Sequence, residues 1–277
     1  MKKEKNNIKK IIIILLILIA TLFIWARFIN TKGLKVNEYS IINKDLPKSF
    51  HGLKIVQFSD ILYGETTNLD DLNKIVKNIN TLKPDIVVFT GDLFSKNITP
   101  SKKELKTIEK YLSNIDASLY KYAISGNSDK NNYNEYKKII DNSNFILLNN
   151  SNELLYYKSN TPIKIVGLKN TKDLENTFKE ESAKASFTIA LMHKPDDIDL
   201  LNDYRVDIAF AGHSLGGQLK VPFLGGLIKV NGAKKYIDGY YKVNDTDFYV
   251  SSGIGTEKFK FRTFNKPSIN LYRIYAK

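Results

Sequence analysis

Leu53-Lys54-Ile55-Val56-Gln57-Phe58-Ser59-Asp60 is a mostly apolar run that stops on a small polar residue and a carboxylate. Short apolar runs bounded by turn formers read as buried strands. The same construction repeats down the chain. Ile86 to Thr90 stops at Gly91-Asp92, Tyr120 to Ile124 at Gly126-Asn127, Phe187 to Met192 at His193, and Ile208 to Ala211 at Gly212-His213. Helical patterns separate the first of these strands. Leu69, Leu72, Ile75, Val76 and Ile79 recur at helical spacing behind Asn68 as N-cap, with Asp71 three residues on. Ser101 and Glu104 open a second helix as a capping box, with Leu105, Ile108 and Leu112 on its inner face. Later strands come as hairpins, Leu154–Tyr157 with Ile163–Val166 and Tyr240–Val243 with Phe248–Ser251, and Ile269–Tyr275 closes the chain as a last strand. This order predicts an α/β fold of two packed sheets with helices outside.

Upstream, Ile11 to Ala26 is apolar apart from Thr21, and Phe28 and Ile29 continue the run beyond Arg27. That is close to the roughly 20 residues needed to cross a bilayer. Residues 1–10 carry five lysines against one glutamate, so the positive-inside bias predicts a basic cytoplasmic tail and an exported C-terminal domain. The division expected is a tail at 1–10, a transmembrane signal anchor at 11–29, a stalk at 30–50 and an extracytoplasmic domain at 51–277. A cleaved signal peptide is the competing reading, but bulky Phe23, Trp25 and Phe28 stand where small residues favour cleavage. The chain has no cysteine, which excludes disulfides and a lipidated cysteine. Of the net +13, the tail supplies +4, so the remainder is still basic. Its lysines are scattered and no nucleic-acid motif accompanies them. The surface suits an anionic membrane or envelope polymer, and no nucleic-acid partner is expected.

Asp60, Asp92, Asn127, His193 and His213 each follow an apolar strand. In layered α/β folds the carboxyl ends of strands converge on one crevice. Two carboxylates, an amide oxygen and two imidazoles suit Zn, Mn or Fe rather than Ca. One strand-end Asp is ordinarily a turn former and one His a structural residue; five in succession make a site.

The ordered motifs resemble those of calcineurin-like metallophosphoesterases, in the bacterial branch with one N-terminal membrane helix. They run from the Leu53–Asp60 stretch through Gly91-Asp92, Gly126-Asn127-Ser128-Asp129, Leu191-Met192-His193-Lys194-Pro195 and Gly212-His213-Ser214-Leu215-Gly216-Gly217-Gln218 to Gly253-Ile254-Gly255-Thr256. The resemblance implies a four-layer αββα sandwich and a two-metal site bridged by Asp92. It assigns Asn127, His193 and His213 to the second metal beside that bridge, and Asp60 to the first. The other two ligand positions of the first metal are occupied by Leu62 and Leu215, and Ser128 stands where the family has its catalytic His.

All three departures remove an imidazole, so no intact catalytic residue is expected. The resemblance then implies a membrane-anchored phosphoester hydrolase relative that is impaired or inactive and keeps one divalent transition metal. The two leucines are expected to fill the space of the first metal. Two alternatives are an active single-metal phosphoesterase on envelope phospholipid or nucleotide phosphoesters, and a metal-free scaffold at the membrane surface. Tyr63, Glu65, Ser128 and Asp129 are the residues near enough in sequence to substitute, although loop solvation and turn formation explain each. His51 is given no role.

Overall fold

A computed structural model describes residues 2–179 and 185–277; Met1 and residues 180–184 lie outside it, as do the side chains of Lys2, Lys3, Glu4 and Lys5. Helix α1 (Lys2–Ile24) continues as a π-helical turn over Trp25–Ile29. Residues Asn6–Ile29 are long and apolar enough to cross a membrane, about 36 Å at 1.5 Å per residue.

The first sheet takes the strand order β1-β14-β2-β3-β4-β5. Its members are β1 (Lys35–Asn43), β2 (Lys54–Phe58), β3 (Ile86–Phe89), β4 (Tyr120–Ala123), β5 (Ile146–Leu147) and β14 (Ser268–Ala276). β2 to β5 run parallel, and β14 pairs antiparallel with β2. The second sheet takes the order β12-β13-β9-β8-β7-β6. It comprises β6 (Ser151–Leu155), β7 (Ile163–Leu168), β8 (Thr188–Met192), β9 (Ile208–Ala211), β12 (Gly239–Val243) and β13 (Thr246–Val250). Both expected hairpins pair antiparallel. The central strands β2, β3, β8 and β9 are buried on both faces, so their sequences are mostly apolar runs rather than alternating ones.

Between the sheets, Ile55, Ile86, Val88 and Tyr122 meet Ile165, Ile189, Leu191, Ile208 and Phe210. Outside the first sheet, Val56, Phe58, Val87 and Phe89 pack under α2 (Leu69–Thr81), α3 (Lys102–Ser113) and α4 (Tyr133–Asn142). Both predicted capping boxes form: Asn68 with Asp71, and Ser101 with Glu104. Outside the second sheet the layer is thin. Among the described residues it consists of α5 (Leu174–Phe178) and a 3-10 turn over Pro195–Leu200, covering Val166, Ala190, Met192 and Ala209. The αββα order holds, with unequal outer layers.

Residues 30–50 are not a stalk. Lys35–Asn43 form β1, nine residues in parallel register with β14 on the edge of the first sheet. Only Ile41 of this strand is buried, so an edge strand that is mostly polar on its open side has the composition of a linker. The folded domain therefore begins at Lys35, five residues after the π-helical turn and Asn30.

Candidate metal centre

All five strand-end residues lie on loops leaving the carboxyl edges of the two sheets: Asp60 after β2, Asp92 after β3, Asn127 after β4, His193 after β8 and His213 after β9. Ligand atoms of Asp92, His193 and His213 lie within 4.8 Å of one another. The imidazole rings stand 4.9 Å apart. Each ring is fixed from behind. His193 Nδ1 lies 2.7 Å from the Thr90 carbonyl and His213 Nε2 2.9 Å from the Asn231 carbonyl. A carbonyl only accepts, so both outer nitrogens carry a proton, and His193 Nε2 and His213 Nδ1 are the nitrogens left to serve as ligands.

His193 Nε2 is buried 3.1 Å from Asp92 Oδ2 but has no hydrogen-bond partner. Such an unsatisfied buried imidazole nitrogen, opposite a carboxylate and a second imidazole, fits a divalent transition metal that would take the place of its proton. Burial alone would lower the His193 pKa, but the facing Asp92 carboxylate lifts it to about 10. Burial likewise would raise Asp92, and His193 with the Ser128 amide holds it below the ordinary carboxylate range. His213 is pushed down to about 4 by burial and the charge of His193.

Asp92 is positioned by the Gly126–Asp129 turn. Ser128 donates its amide to Asp92 Oδ1 at 2.7 Å and its hydroxyl to Oδ2 at 3.1 Å. Asp129 faces the other way. Its buried carboxylate accepts the amides of Asp92, Leu93, Phe94 and Gly126, clamping the loop after β3 to the loop after β4. Burial and the neighbouring Asp92 charge raise its pKa to about 7. Gly126 is required here, since a Cβ would stand 2.1 Å from Asp92 Oδ1. Asn127 is the exposed residue of this turn, between two neighbours that touch the site.

Asp60 stands outside the convergent set of acidic and imidazole ligands among the described residues. Both its oxygens accept the His213 amide at 3.0 Å, and burial pushes its carboxyl up to about 6. The two leucines expected at ligand positions of the first metal lie beside it. Leu62 and Leu215 are each 5 % exposed; Leu62 packs on Gly255, and Leu215 with Asp60 on Gly253. Both leucines hold left-handed backbone, φ 51° at each, as do Asp60, Asp92 and His213. A left-handed leucine costs about 1–2 kcal/mol, and such strain persists where surrounding structure dictates it. The loops thus share one backbone shape whether they carry Asp, His or Leu.

Behind this region lies Arg262, fully buried. Its guanidinium donates to the carbonyls of Gly255 at 2.6 Å, Ser252 at 3.0 Å and Gly253 at 3.3 Å, and more weakly to Leu215 and Asn265. Burial draws its pKa down to about 10 against the pull of Asp60 and Asp238, so it remains a cation at neutral pH. Gln57 joins the strands that lead to both imidazoles, donating to Thr90 Oγ1 and to the Ala211 carbonyl while accepting from Asn270 and Tyr272.

Sequence reasoning missed Gln57 and Arg262. Gln57 left a signal, a polar residue inside an apolar strand; Arg262 left none. Of the proposed substitutes, Tyr63 donates to Glu104 and Glu65 is exposed. His51 caps the far edge through the Ala276 carbonyl.

A profile of calcineurin-like phosphoesterases matches residues 53–217. The chain belongs to this family. It is 31 % identical to the uncharacterized metallophosphoesterase YkuE of Bacillus subtilis, over 90 % of this chain and 88 % of that one. It is 28 % identical to the UDP-2,3-diacylglucosamine pyrophosphatase LpxG of Chlamydia muridarum, over 91 % and 92 %. A zebrafish transmembrane protein with a metallophosphoesterase domain is 25 % identical, over 93 % of this chain and 61 % of its own length. Family members bind divalent metals, which agrees with the Asp92–His193–His213 cluster.

Proposed function

We propose that this chain is a membrane-anchored metallophosphoesterase-family protein that holds one divalent transition metal and is impaired or inactive as a phosphoester hydrolase. The observation that carries this reading is the asymmetry of the site. Asp92, His193 and His213 converge with each imidazole held at its outer nitrogen, whereas Asp60 lies outside that set, accepts the His213 amide and has two buried leucines for neighbours. The family resemblance assigns Asn127, exposed on the Gly126–Asp129 turn, as a further ligand of the intact half. When bound, a single metal would polarise a phosphoryl oxygen or lower the pKa of water. The chain's own residues supply orientation and charge: Ser128 fixes Asp92, and Lys194 brings a cation near His213. No imidazole occupies the Ser128 position to protonate a leaving group. Loss of a general acid alone typically costs about 10²–10⁴-fold.

The anchor reading is supported by the end of α1. Ala26 accepts the amide of Arg262, and Asn30 donates to the Arg262 carbonyl. A signal segment destined for removal has no reason to be bonded into the mature domain. The basic tail supports an orientation with the domain outside the cell membrane.

A second reading, an active single-metal phosphoesterase on envelope lipid phosphoesters, draws on the likeness to LpxG. Turnover of an aryl phosphodiester by the full chain, with Mn or Zn supplied, separates the two. The first reading predicts a rate near background, unchanged by Asp92→Asn. Rapid metal-dependent turnover abolished by Asp92→Asn would overturn it. Absence of any bound metal, with normal folding of His213→Ala, would favour a metal-free scaffold.

A further inference from the structure

The end of α1 lies against one face of the domain. Phe23 meets Phe261 with ring centroids 4.7 Å apart, and Trp25 meets Phe264 at 5.0 Å. If α1 spans the bilayer, the segment 259–264 sits at the depth of residues 23–30, where the apolar run ends. That segment is stitched to the hairpin of β10 (Lys220–Val221) and β11 (Gly225–Gly226). The Lys220 amide donates to the Thr263 carbonyl, the Thr263 hydroxyl to the Lys220 carbonyl, and the Gln218 side chain bonds the backbone of Glu257 and Phe259.

This joined unit presents six large apolar side chains to solvent: Phe223, Leu224, Leu227, Ile228, Phe259 and Phe264. Leu224 is 78 % exposed and Phe259 68 %. Exposed lysines flank them at Lys32, Lys229, Lys258 and Lys266. A clustered apolar patch on a soluble face marks an interaction surface. Aromatic and aliphatic side chains among lysines match a lipid interface, where apolar groups enter the acyl boundary and ammonium groups meet anionic headgroups.

We propose that the hairpin tip and the 257–264 strap dock into the anionic outer leaflet beside α1, seating the domain face-down on the membrane. This rests on the anchor reading and adds a second, independent contact with lipid. Three arguments select a membrane over a protein partner: continuity with the end of α1, the matching depth of Phe261 and Phe264, and the flanking charge. The consequence reaches the metal centre. Ile228-Lys229-Val230-Asn231 runs directly from the docked hairpin to the carbonyl that holds His213 Nε2. The rim of the half-site is thereby fixed close to the headgroups, where a lipid-borne phosphate would present itself.

The absence of native cysteine makes the test direct. Single cysteines are placed at Leu224, Phe259, Leu16 in α1 and Tyr156 on a distant exposed position, each in the full chain. They are labelled with a polarity-sensitive fluorophore and reconstituted in phosphatidylglycerol–phosphatidylcholine vesicles carrying shallow lipid-attached quenchers. The expected result is loss of fluorescence at Leu224→Cys and Phe259→Cys, none at Tyr156→Cys, and loss at Leu16→Cys with deep quenchers. Adding Phe223→Asp and Leu224→Asp should relieve quenching at Phe259→Cys. Quenching at Leu16→Cys without quenching at Leu224→Cys and Phe259→Cys would overturn docking while leaving the anchor standing. An unquenched Leu16→Cys would overturn the anchor and docking together.

Discussion

The two halves of the metal centre are built on loops of the same kind yet have opposite fates. Around Asp92, each ligand has a dedicated support: Ser128 on the carboxylate, Thr90 behind His193, Asn231 behind His213, and Asp129 clamping the backbone. Around Asp60 the loops are supported as firmly, but leucines stand where the proposed reading has the first metal's ligands. Leu62 and Leu215 keep left-handed backbone, Gly253 and Gly255 keep their close approach, and Arg262 pins the surrounding carbonyls. The difference teaches that backbone shape and ligand chemistry are separable. Backbone-to-backbone and buried-arginine contacts hold the shape of these loops whichever side chains stand on them.

Rebuilding the missing side chains should have the largest effect. Leu62→His, Leu215→His and Ser128→His together should raise phosphodiesterase turnover by about 10²–10⁴-fold and metal content from one to two per chain. A triple variant that folds, binds two metals and stays inactive would show that the loss of function lies elsewhere. Next comes the intact half: His193→Ala should weaken metal binding at least about 100-fold, read by calorimetric titration. Asp60→Ala should leave it within a few-fold, and an equal loss there would break the contrast. Arg262→Met should then destabilise the domain by about 3 kcal/mol, lowering the melting temperature by roughly 6–12 °C, with metal stoichiometry unchanged. The smallest effect is expected for Ser128→Ala, which removes one hydrogen bond to Asp92 and should weaken metal binding by up to about tenfold.

The sequence was most legible where one residue type has one physical use. Apolar runs ending on carboxylates and imidazoles located the strands, their parallel edges and the crevice. Capping boxes at Asn68 and Ser101 located two helices to the residue. It was least legible at edges and in long-range partnerships. β1 is mostly polar because only one of its residues is buried, so it resembled a linker. Asp129 lies in a recognisable motif, but its work is done on amides 35–37 residues away. Asp60 carries the motif of a ligand, and only the geometry reveals that its oxygens also accept the His213 amide. Arg262 gives no local pattern because all its partners are backbone carbonyls, which any sequence provides.

The claim that one half of the site is complete and the other emptied is tested most directly by elemental analysis of the full chain. The protein would be purified without chelator and equilibrated with Zn, Mn or Fe. The account predicts one metal ion per chain, lost in His193→Ala and retained in Asp60→Ala. Two ions per chain, or one that depends on Asp60 and not on His193, would contradict it.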